Sequence, residues 1–89
     1  MKTVAQYVDF LESKGFRLQE DAIGFIHYGK QYTKATDELT NTAIELTLKS
    51  QKEFDGSYYI SLLEMLVKSK ISTRGAAIRF IKERKLMAI

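Results

Sequence analysis

His27 is the single histidine among 89 residues, and the chain has no cysteine to set beside it. Zinc sites and Ser–His or Cys–His nucleophiles need a second ligand or base held against the ring. No recognisable spacing supplies one. His27 lies among aromatics in "IGFIHYGK", so it is expected to be a partly buried, hydrogen-bonded side chain. The adjacent carboxylates Glu20-Asp21 and Asp37-Glu38 have the types needed for acid–base work. Both pairs stand where a helix should begin, and the positive end of the helix dipole accounts for them without catalysis. Gly24 and Gly29 are isolated, so no phosphate-cradling loop or dinucleotide fingerprint is present. The expectation is therefore no enzyme, no cofactor and no metal site.

Two chemistries remain, charge and aromatic contact. Residues 68–85 hold seven bases and one acid, Glu83, giving +6, while the rest of the chain carries −3. Such polarity can steer a polyanion to one end, or bring two copies together base to acid. "YYISLLEMLVKSKISTRGAAIRFIKERK" reads as a buried helix, a short turn and a basic helix, the order of a helix-turn-helix. On that reading Arg74 reaches base edges, with Lys68, Lys70, Arg79 and Lys82 near phosphates. The opposing reading is a solvated or protein-facing basic surface, because helix C-termini attract Lys and Arg in any case. The tyrosines offer the second chemistry. Tyr58 and Tyr59 stand about 100° apart on a helix, so both cannot enter one core and one is free for a partner.

These side chains must be positioned by helices. "TVAQ" places Thr3 as N-cap and Gln6 as its capping-box partner. Val4, Tyr7, Val8 and Leu11 share a face. Gly15 is expected in the left-handed conformation, with Phe16 folding back onto Leu11. The segment 20–32 has the end charges of a helix, although Gly24 and Gly29 weaken it and Ile23–Tyr28 would also suit a strand. Thr36 caps a third helix with Asp37 and Glu38 in its first turn, Lys49 in its last, and Glu45 paired to Lys49. That helix carries two apolar stripes: Leu39, Ala43, Leu46 and Phe54 on one side, Ile44 and Leu48 on the other. Two stripes call for two covers, from the same chain or from a second copy. Ile44, Leu48, Tyr58 and Tyr59 are accordingly the candidate interface of a homodimer or of a protein partner. Ser57 is the N-cap candidate of a fourth helix, expected to be the most buried, and Ser72 or Thr73 opens a fifth. The apolar end, Leu86-Met87-Ala88-Ile89, should pack on the core or on a neighbour.

The whole is expected to be one all-α domain, a bundle of four or five short helices with a helix-turn-helix-like C-terminal pair. With no leader-like apolar run and no membrane-length stretch in this sequence, the expected setting is the cytosol, off the membrane. The run "KEFDGSYYISLLEMLVKSKISTRGAAIRFIKERKLM" resembles a helical repeat of RecX-type recombinase regulators. That likeness covers one repeat where those proteins stack several, and it carries no functional residue across. With "FLESKGF" and "FDGSYYISLLE", the chain is similar nearly end to end to small uncharacterised cytosolic proteins of spore-forming Gram-positive bacteria. A binding protein acting through protein contacts is the leading expectation, and nucleic-acid binding is the alternative.

Overall fold

Caps decide where the helices begin and end. The computed structural model describes residues 1–86. Among them lie five helices: α1 (Val4–Ser13), α2 (Glu20–Thr33), α3 (Asp37–Gln51), α4 (Gly56–Lys68) and α5 (Arg74–Glu83). No strand occurs among the described residues. At α1, the Gln6 amide donates to Thr3 Oγ1 and the Thr3 amide donates to Gln6 Oε1, closing the capping box. Its other end is a Schellman motif: Gly15 has φ 96°, and the Phe16 amide donates to Leu11 O at 2.9 Å. Thr36 and Thr73 cap α3 and α5 through their hydroxyls. At α4 the cap is Asp55, two residues before the expected Ser57, because its carboxylate accepts from the Tyr58 amide.

The four later helix ends use lysine where glycine is usual. Lys34, Lys52, Lys70 and Lys85 all have φ between 54° and 68°. After α4 and α5, Schellman bonds run from Ile71 N to Leu66 O and from Leu86 N to Ile81 O. A left-handed residue with a Cβ costs roughly 1–2 kcal/mol. The lysine charge near the negative helix end offsets part of that.

Segment 20–33 is helical, and its two glycines have different reasons. Gly29 is buried where α4 crosses, and a Cβ there would stand 2.7 Å from Tyr59 Cε2. The Tyr59 ring lies over this gap, fully buried, and its hydroxyl donates to Ile26 O at 2.7 Å. Gly24 faces open space. The α2–α4 pair is the most extensive helix contact in the molecule.

α3 is the central element and packs against all four other helices. It, and not α4, is the most buried helix. Leu39, Ala43, Ile44 and Leu46 are joined inside by Thr40, Thr42 and Thr47. Thr42 and Thr47 donate their hydroxyls to the carbonyls of Glu38 and Ala43 four residues back, which leaves β-branched methyls to fill the core. Leu39, Ala43 and Leu46 of one stripe and Ile44 of the other are covered by the chain itself, while Phe54 and Leu48 are half-buried. Ile44 is therefore a core residue, not an interface residue, and Tyr59 is corrected in the same way by its seat on Gly29. Of the apolar end, Leu86 is half exposed, and residues 87–89 lie outside the described residues.

Candidate interaction surface

At 3.6 residues per turn, Phe25, Tyr28 and Tyr32 fall within about 60° of arc on α2, Phe25 at the edge nearest α4, where its ring rests against Gly56, and the two tyrosines farther round toward solvent. Their exposures are 41%, 56% and 59%. Tyr28 and Tyr32 stack on each other, centroids 5.6 Å apart and planes within 9°. The stack holds two large rings in one orientation before any partner arrives, which lowers the ordering cost of contact. Exposed Asp21 lies in line with this stripe, whereas Lys34, the residue after α2, stands roughly 120–180° of arc from its three rings.

Beside this stripe runs a surface groove of about 420 Å3, between the α1–α2 connection, the start of α2 and the α3–α4 turn. Phe16, Ala22, Phe25, Leu48 and Phe54 form its apolar lining, with Asp21 and Lys52 among its charged residues. Leu48 is half-buried here, so this one member of the expected interface does reach a groove. Gly56 makes room for the Phe25 ring, since a Cβ there would come within 2.6 Å of it.

The basic end is arranged differently from the helix-turn-helix expectation. α4 and α5 are joined by a short turn, but the chief packing contact of α5 is with α3. Its start is tied there by three polar contacts. Thr36 Oγ1 donates to Ser72 O, the Arg74 amide donates to a Glu38 carboxylate oxygen at 2.8 Å, and the Arg74 guanidinium grips Glu45 with two bonds of 2.9 and 2.8 Å. Lys49 adds a 3.3 Å contact to the same carboxylate. Hydrogen bonding from Arg74 holds the Glu45 carboxyl below the usual range, against the opposing effect of its partial burial. Burial raises the nearby Tyr7 phenol, and the Glu45 charge adds to that rise. Arg74, with its side chain 53% exposed, is thus engaged by the α3 carboxylates in this structure. Lys68, Lys70, Arg79 and Lys82 are exposed.

Across residues 1–87 the sequence matches the model of a family of unknown function, DUF6123. The chain belongs to this family. No curated protein and no solved structure matches it. Site assignment in this family member therefore rests on the geometry above. Tyr58 is half-buried, beside Ser61 and Met65. His27 is exposed, contrary to the expectation of a partly buried ring, because its position on α2 points away from α4. Among the described residues no group of His, Cys, Asp and Glu could hold a metal ion, and no helix is long and apolar enough to cross a membrane. Phe25 carries no sequence signal that singles it out, and Tyr28 and Tyr32, which as tyrosines suit a core edge or an interface, are exposed rather than at the core edge. The joint spacing of the three rings, three and four residues, was the available signal, hidden because the same segment also suited a strand.

Proposed function

We propose that this is a non-enzymatic binding protein that docks a protein partner on the outer face of α2. The observation that carries the reading is the stacked, exposed Tyr28–Tyr32 pair in line with exposed Phe25. Aromatic side chains of this kind dominate the energetics of protein interfaces, and a contiguous exposed cluster of them on a small domain marks a contact site. Regulation or bridging by contact, in the cytoplasm, is the role such a module serves. A photoreactive amino acid at position 28, compared with one at Arg79, tests this in cells. Cross-linked protein adducts are expected from position 28 and not from 79. Equal yields, or none at 28, would remove α2 as the docking face.

A second reading keeps nucleic acid as the partner, supported by the exposure of Lys68, Lys70, Arg79 and Lys82. Binding through these four bases would make log K fall with log salt at a slope of about −3.5, roughly a hundredfold loss from 50 to 200 mM. Fluorescence anisotropy with labelled duplex and single strands reads this directly. No binding at 50 mM leaves the basic end as a solvated face.

A further inference from the structure

We propose that Glu38 and Glu45 form an autoinhibitory contact: they occupy the α5 groups that a nucleic-acid phosphate would take, and a polyanion must displace them to use Arg74. The inference deepens the nucleic-acid reading of the basic end and rests on it.

Two features make the contact a stand-in for phosphate. The Glu45 carboxylate accepts from Arg74 Nε at 2.9 Å and from Arg74 Nη2 at 2.8 Å, the two-pronged grip that a guanidinium also takes on a phosphate. Glu38 Oε2 accepts from the Arg74 amide at 2.8 Å. That amide is the first N–H of α5, where the positive end of the helix favours an anion.

The pair is open to a competitor. The side chains of Arg74 and of Lys49, the second cation on Glu45, are more than half exposed, whereas that of Glu45 is 21% exposed. The cations therefore stand on the solvent side of the carboxylate they share. A groove of about 360 Å3, lined by Lys2, Tyr7 and Asn41 as well as by Glu38, Glu45 and Arg74, opens onto the contact and has room for a phosphate group. α5 does not depend on the guanidinium for its seat, because Ala77 and Ile81 are fully buried and Thr36 Oγ1 donates to Ser72 O. Arg74 is thus able to exchange one oxyanion for another while the helix stays docked. At 3.6 residues per turn, Arg74, Lys82 and Arg79 follow one another round about 140° of α5. Releasing Arg74 extends the exposed basic surface by one contact.

Fluorescence anisotropy with labelled duplex and single strands tests this through the Glu45–Arg74 pair. Glu45→Gln keeps the size of the side chain and removes its charge. At 50 mM salt it should bind about fivefold more tightly than the unmodified chain, the scale of a partly exposed ion pair. Its salt slope on duplex should steepen by about 0.9, the mark of one added phosphate. Arg74→Ala should change the affinity of the unmodified chain by less than about twofold, yet remove most of the gain in the Glu45→Gln background. Glu20→Gln, which removes an equal charge at the start of α2, should give no such gain. A gain matched by Glu20→Gln, or one that survives Arg74→Ala with an unchanged slope, would overturn the autoinhibitory contact while leaving the basic end as a nucleic-acid surface. No binding at 50 mM by either the unmodified chain or Glu45→Gln would overturn both.

Discussion

Where α2 crosses α4, a tyrosine ring lies over a glycine, sealed from water, with one hydroxyl bond to Ile26 O. Where α5 meets α3, the contact beyond Ala77 and Ile81 is a set of partly exposed polar bonds converging on Glu38 and Glu45. The first contact depends on shape and tolerates no added atom. The second depends on charge, and water competes for it. Two joints in one small bundle therefore respond to different perturbations. Strength and conditionality are separated along the chain, with the conditional joint holding the basic helix.

The largest break in this contrast is expected from Tyr59→Ala, which empties the first joint and should cost about 3–5 kcal/mol in urea unfolding. Arg74→Ala, with its side chain 53% exposed, should cost no more than about 1 kcal/mol. Comparable losses would mean that the two joints are not different in kind. Next in size is Gly29→Ala, whose Cβ would stand 2.7 Å from Tyr59 Cε2. A loss of about 1–3 kcal/mol is expected, and most of that increment should vanish when Gly29→Ala is made in a Tyr59→Leu background, which carries its own cost. Failure of that cancellation would break the assignment of the cost to this crossing.

The two joints also sit at opposite ends of the pH scale. Burial raises the Tyr59 phenol well above a free phenol. Its contribution is therefore complete below the unfolded value of about 10 and is lost as pH climbs above it. Tyr59→Phe should flatten this alkaline decline in the urea midpoint, leaving the smaller share due to Tyr7. Glu45 has the reverse sign, since its folded pKa is depressed. Its stabilisation is present above the ordinary carboxylate range and disappears as pH falls through the folded value. Glu45→Gln should reduce the acid-side decline, by the least of these effects, because much of the cluster is solvent-screened. The acid slope of Arg74→Ala should match that of Glu45→Gln if the pair acts as one unit.

Local rules were legible in the sequence where a single residue type has one strong preference. Thr3 with Gln6, Gly15 with Phe16, and Thr36 with its acidic first turn all stand where the pattern puts them. Three other features depend on partners distant in sequence. Threonines in α3 read as surface residues, yet Thr42 and Thr47 return their hydroxyls to their own helix and enter the core. Tyr58 and Tyr59 are indistinguishable in type, and only Gly29, thirty residues upstream, decides which ring is buried. Arg74 reads as free for a polyanion because Glu38 and Glu45 come to it only through tertiary packing. The candidate site was hidden for a simpler reason. Ile23–Tyr28 also suits a short strand, although helix is the expected form of the segment, and on a strand Phe25 would lie on the opposite side from Tyr28 and Tyr32.

Each of the four links between helices carries at least one exposed cationic residue: Lys14 and Arg17 in the first, then Lys34, Lys52 and Lys70. A protease that cuts after Lys or Arg thus finds a candidate bond in every junction. Three of those bonds follow a left-handed lysine, a backbone bend that an extended protease cleft cannot accept until the junction opens. Cleavage order under sparing digestion would then rank the opening free energies of the four junctions one by one, turning the chain's own helix endings into reporters of its internal cooperativity.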